Sequence, residues 1–296
     1  MRLLGLQYDG SENLAENTIT YLNAKRRTVS CYRRAVHESK ELIIPPQYSA
    51  DYSSLKELIE QGDDLTHYLN LSRDMPRGRA GRNDKALNAW GLHHLHLRPD
   101  GTDHVLLVRI TDTDIFVIKA LPHGEETWVD TSLLQILREN WPGMDTGEIA
   151  GVYAPTLTAT ERANLRRNNI NFFVPMPDGS VHMGARGGIS VSGRCILDVR
   201  DSQLILAQLA HWQRVVEENE ANLHSALNVQ RDEEFWIRMR FNNGGWRLYE
   251  AKKNVEIRLT IQPIDARAES DFVSGHLDSA IRRALDDKKN DRVRPF

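Results

Sequence analysis

The run from Leu92 to Gly124, LHHLHLRPDGTDHVLLVRITDTDIFVIKALPHG, constrains the fold more than any other part of the chain. Apolar and β-branched residues gather in three short blocks, about 92–98, 104–110 and 114–120. The stretches RPDGTD and TDTD between them are turn chemistry. Strands joined by such short turns pair antiparallel, because a parallel pair needs a crossover of roughly a dozen residues. The blocks therefore predict a small antiparallel meander. Alternate side chains of a strand share a face, so His94 and His96 point one way, while His93, Leu95 and Leu97 point the other.

Helical spacing surrounds this sheet. LAENTITYLNAK follows a turn at YDGSEN, and DYSSLKELIEQG sets Leu55, Leu58 and Ile59 on one face before closing at Gly62. DDLTHYLNLS repeats the device as a second short helix, and VDTSLLQILRENW turns Leu133, Leu134 and Leu137 inward. Ahead of these, RTVSCYRRAVH (27–37) alternates as a strand would. The Gly-, Pro- and Thr-rich stretch 142–158 reads as a linker, which divides the chain into 1–145 and 146–296. The second part reads as a short helix, a hairpin with a glycine loop, one long helix over about 194–227, and two or three strands. A charged helix near 274–287 and a basic tail follow. The expected class is α+β: a small antiparallel sheet covered by helices in the first half, and a second α+β domain with one long helix.

Hydrophobic residues at 40% and charged residues at 27% suffice for packed cores and exclude a disordered chain. A net charge of −3 gives no whole-molecule attraction to nucleic acid, so any polyanion site must come from local clustering. The two cysteines, Cys31 and Cys195, form no CxxC pair and fit a reducing cytoplasm. The opening MRLLGLQYDGSENL does not read as a secretory signal, and no run has the length to cross a bilayer, so no membrane partner is expected.

Such local clustering lies just before the histidine strand. SRDMPRGRAGRNDK carries Arg73, Arg77, Arg79, Arg82 and Lys85 against Asp74 and Asp84. Guanidinium forks on a glycine-bearing backbone suit phosphate. For the histidines three readings stand. His94 and His96 at i and i+2 suit zinc, but a metal site needs three or four ligands, and no nearby cysteine or obvious carboxylate completes the set, Asp100 and Asp103 being turn residues first. His104 lies across the turn and His123 just past the third block. As a metal-free pair, the imidazoles would move protons at a ribose hydroxyl and a leaving oxygen. As structural groups, they would be half-buried and bonded to backbone.

The element order over roughly 27–140, with the hairpin run HHLHLRPDGTDHVLLVRITDTDIFVIKALPHG, resembles the RelE/ParE-type toxin core. That resemblance implies a twisted antiparallel sheet with cationic and acid–base side chains on its open face. RelE-like members cut messenger RNA in the ribosome without metal, and ParE-like members act on gyrase. His94, His96 and Arg109 are the positions that match that face. The chain departs from the pattern in lacking a lysine-rich carboxy-terminal strand and in carrying a second half.

The leading expectation is thus a metal-independent, cofactor-free RNA-cleaving module. His94, His96 and Arg109 would be catalytic, and Arg77, Arg79, Arg82, Lys85 and Arg186 would bind phosphate. Arg186 enters through the glycine-rich loop GSVHMGARGGISVSGR, whose backbone N–H groups suit an anion ahead of a helix. Two rivals accompany it. Glu250 and Lys252 in WRLYEAKKN have the ExK spacing of divalent-metal nucleases, with Asp232, Glu233 and Glu234 as further acids. A non-enzymatic protein would instead dock another protein through its sheet and long helix.

Overall fold

A computed structural model describes residues 10–11, 13–69, 84–144, 146–218, 220–227, 236–242, 245–250 and 255–258. The helix near 274–287, Asp232, Glu233, Glu234 and Lys252 lie outside the described residues, as do Arg73, Arg77, Arg79 and Arg82. The fold is α+β. Its chain divides into two compact units, Met1–Leu206 and Ala207–Phe296, and the division falls within the long helix.

The first unit is built on a four-stranded sheet of order β1-β4-β3-β2, formed by β1 (Ala35–Glu38), β2 (His93–His96), β3 (His104–Ile110) and β4 (Asp114–Pro122). Strands β2, β3 and β4 form the antiparallel meander that the turns demand. The edge strand β1 runs parallel to β4 and is shorter than the 27–37 block predicts. The physical reason is Arg34: its buried guanidinium donates to the carbonyls of Thr111, Ser30 and Tyr32, which draws the preceding chain into a loop around it. In the DDLTHYLNLS block the described residues form a single 3-10 turn, Thr66–Tyr68.

Both faces of the sheet are covered. On one, Leu95, Leu97, Leu106, Val108, Ile115 and Val117 pack with Leu55 and Ile59 of α2 (Ser49–Gln61) and with Leu65. The other carries Leu92, Val105, Leu107 and Ile118 against Trp90 of α3 (Lys85–Trp90) and Leu133, Leu134 and Leu137 of α4 (Ser132–Asn140). Phe172, Val174, Met176 and Ile189 join this second core, so the segment after residue 146 packs as part of the first unit. It holds α5 (Ala159–Arg167), started by a Thr158–Glu161 capping box, and a small sheet of order β5-β7-β6. These three strands are β5 (Glu148–Ile149), β6 (Val174–Pro175) and β7 (Val181–His182).

The glycine-rich loop has a packing role here. A Cβ on Gly184 would lie 2.5 Å from the Trp90 ring and 2.6 Å from the Ala89 carbonyl, so the absent side chain lets this backbone close over α3. A buried ion pair ties the outer helices to the same layer. Arg26, in α1 (Leu14–Arg27), meets Asp198, in α6 (Ile196–Glu218), and also donates to Asn88 at 3.0 Å.

In the second unit, α7 (Glu220–Leu227) precedes an antiparallel sheet of order β10-β9-β8, formed by β8 (Ile237–Asn242), β9 (Gly245–Glu250) and β10 (Val255–Arg258). Among the described residues no helix is long and apolar enough to cross a membrane.

Candidate metal centre

The register of β2 on β3 sets His94 opposite Leu107 and His96 opposite Val105, so both imidazoles lie on the α4-facing side of the sheet. A β-bulge between Leu107 and Val108 then shifts the β3–β4 pairing by one residue, and Val105 pairs with Leu121. A one-residue shift turns every later side chain of the strand to the opposite face. Without the bulge, Ala120 would face Val105 and His123 would belong to the other side of the sheet. With it, His123 joins the face that carries His94 and His96, held by its amide hydrogen bond to the Asp103 carbonyl at 2.6 Å.

The three rings converge. Their centroids are 6.0 Å apart for His94 and His96, 6.2 Å for His94 and His123, and 5.5 Å for His96 and His123. One nitrogen from each lies within 4.8 Å of the other two. Trp128 forms a wall, 4.8 Å from the His94 ring and 5.2 Å from that of His123. His94 and His96 are buried, and His123 is exposed. Solvent therefore meets the cluster at His123.

Asp84 lies behind His94. It is the N-cap of α3, where its side chain accepts from the Leu87 amide at 2.9 Å, and its Oδ2 lies 3.2 Å from His94 Nδ1. Burial raises the affinity of this carboxyl for a proton, but His94, the Leu87 amide and Arg27 outweigh it and hold Asp84 well below the usual carboxylate range. The His94–Asp84 contact is an ion-pair approach without hydrogen-bond geometry, and His94 Nε2 is buried with no hydrogen-bond partner among the described residues. An imidazole nitrogen so placed is costly to leave empty. Burial, and then the charges of His94 and His123, push the affinity of His96 for a proton below the ordinary histidine value. Its Nδ1 accepts a hydrogen bond from the Thr102 amide at 3.2 Å.

The other predicted groups lie elsewhere. Arg109 shares the face of Leu107 but donates to the Trp90 and Gly91 carbonyls, both at 3.2 Å, at the C-terminal end of α3. The Lys85 ammonium donates to the Arg166 and Arg167 carbonyls that close α5. Arg186 is half-buried, with its Nε unpartnered among the described residues. Glu250 is 1% exposed and accepts from the Trp236 amide at 2.9 Å, inside its own hairpin. His104 turns to Asp103, which also accepts from the Tyr48 hydroxyl. His123 and Asp84 are the two groups that sequence reasoning did not assign to the site. An aspartate at the N-cap position before KALNAW is the one local signal for the second.

His93 is the structural histidine of the run. Its Nε2 donates to the Arg26 carbonyl at 3.1 Å, and burial pushes the ring down to about 4. An unfolded histidine takes its proton near pH 6.5, whereas this ring takes it only near 4 in the folded state. Its contribution is thus complete above pH 6.5 and is lost as pH falls through that window toward 4. Urea midpoints at pH 7 and pH 5 will fall more for the parent protein than for His93→Asn, which cannot titrate. Equal slopes would contradict this assignment.

Comparison with protein-family models, with curated proteins and with solved structures returned no match.

Proposed function

We propose that His94, His96 and His123 bind one divalent transition-metal ion of the zinc class, and that the ion activates water for hydrolysis. The observation that carries this reading is the convergence of one nitrogen from each of the three imidazoles to within 4.8 Å of one another, with the His94 ring buried and its nitrogens lacking a hydrogen-bond partner among the described residues. Three protein ligands and one open position are the pattern of catalytic zinc, in which bound water ionises near pH 7. Asp84 fits the outer carboxylate that holds the far nitrogen of a ligating histidine. Ligand nitrogens around tetrahedral zinc sit roughly 3.3 Å apart, so nitrogens that lie within 4.8 Å of one another would need to close by no more than about 1.5 Å on loading.

Titration of the full chain with zinc tests the reading: one ion binds per chain, and His123→Ala, which alters an exposed ring, loses it. Hydrolysis by the loaded protein, assayed on RNA and single-stranded DNA, stops with EDTA and returns with zinc. A chain that binds no zinc overturns it.

A second reading is the metal-free RNA cleavage that the RelE/ParE-type resemblance implies. The lowered proton affinity of His96 favours it, since a neutral imidazole is the form a general base requires. The near-complete burial of His94, 4% exposed, weighs against direct access by a ribose. RNA cleavage that survives EDTA and is lost in His96→Ala would select this reading over the first.

A further inference from the structure

The His96–Thr102 hydrogen bond has a consequence for any ion that enters the centre. A backbone N–H only donates, so His96 Nδ1 holds a lone pair toward Thr102, and in the neutral ring the proton is on Nε2. A metal ion needs a lone pair as well. If it binds Nε2, the proton must leave that nitrogen and the ring must take one on Nδ1, which then faces the Thr102 N–H donor to donor. If it binds Nδ1, it takes the same lone pair that the Thr102 amide uses. The ring is neutral before and after in both cases, and in both the Thr102 amide loses its acceptor.

We infer that the Arg98–Asp103 turn is a metal-responsive switch: loading of the centre releases the Thr102 amide from His96 and resets the turn. This rests on the metal reading above. The turn is placed to pass the change on. The Asp103 carbonyl accepts from the His123 amide at 2.6 Å, so the same few residues hold a second ligand of the trio. The Thr102 hydroxyl accepts from the Leu97 amide at 3.2 Å and donates to the His104 carbonyl, at the ends of β2 and β3. Arg98 bonds Asp51 of α2 at 2.8 Å, and Asp103 accepts from Tyr48 at 2.5 Å, just ahead of that helix. Gly101, at φ +95°, supplies a position where the backbone can turn over without a Cβ penalty. An ion arriving at three buried or rim imidazoles is thereby reported on the opposite, α2-bearing side of the sheet.

Amide hydrogen exchange read by NMR on the full-length protein tests the switch, with zinc as the probe. In the metal-free protein the Thr102 amide exchanges slowly, and long-range ring spectra place the His96 proton on Nε2. At one equivalent of zinc, Thr102 exchange accelerates at least about tenfold, while Leu106 and Leu107 in the core strand keep their protection. In His123→Ala the same addition leaves Thr102 unchanged. If zinc fills the site and Thr102 stays as protected as before, the switch is overturned while the metal centre stands. If zinc does not bind, the metal reading itself fails.

Discussion

Replacing His94 with alanine lowers zinc affinity at least about a hundredfold, beyond the roughly 10–100-fold that loss of an outer partner costs a metal site. His94 is the most buried ring of the trio, 4% exposed, and it alone contacts both Trp128 and Asp84. Asp84→Asn keeps the N-cap acceptor for the Leu87 amide but removes the charge behind the ring. It weakens binding by about 10–100-fold and leaves the helix in place. Isothermal titration of the three proteins gives the order parent, Asp84→Asn, His94→Ala. The alanine variant also leaves a buried carboxylate without its ring, so its metal-free form melts earlier than the parent. An unchanged affinity in His94→Ala would remove the ring from the site.

The second large effect concerns stability. Asp198→Ala destabilises the first unit by about 3–5 kcal/mol, because it leaves the Arg26 guanidinium buried without its counter-charge. Both side chains are 7% exposed, which takes the pair out of the regime where surface ion pairs contribute little. Asn88 extends the network: it accepts from Arg26 at 3.0 Å and donates to the Gly193 carbonyl at 3.0 Å. The cut therefore loosens α1, α3 and the loop before α6 together. The double variant Arg26→Met/Asp198→Leu recovers most of the loss, since matched apolar groups replace a buried ion pair at little net cost. Urea denaturation of the single and double variants checks both. A single variant as stable as the parent would contradict the network.

The meander was legible because turn chemistry and alternation are local. RPDGTD and TDTD fix where β2 ends, where β3 begins and ends and where β4 begins, and period 2 puts His94 and His96 on one face. The third ligand was not legible, for one physical reason. Whether His123 faces that pair depends on the bulge at Leu107/Val108, an extra residue that no turn signal announces. Asp84 was hidden differently. It stands among five cations in the sequence, where it reads as an incidental acid, and only the fold of α3 carries it to His94. The parallel pairing of β1 and the packing of 146–195 on the first core depend on long-range contacts that periodicity does not encode. In the sequence Lys85 reads as a phosphate ligand and Arg109 as a catalytic cation, but their acceptors are helix-end carbonyls that exist only once α5 and α3 form.

X-ray absorption at the zinc edge of the loaded, full-length protein tests the central claim most directly. The account predicts a shell of nitrogen and oxygen at about 2.0–2.1 Å with the multiple-scattering signature of three imidazoles, and its loss in His123→Ala. A shell with sulfur, or with one imidazole or none, would contradict it.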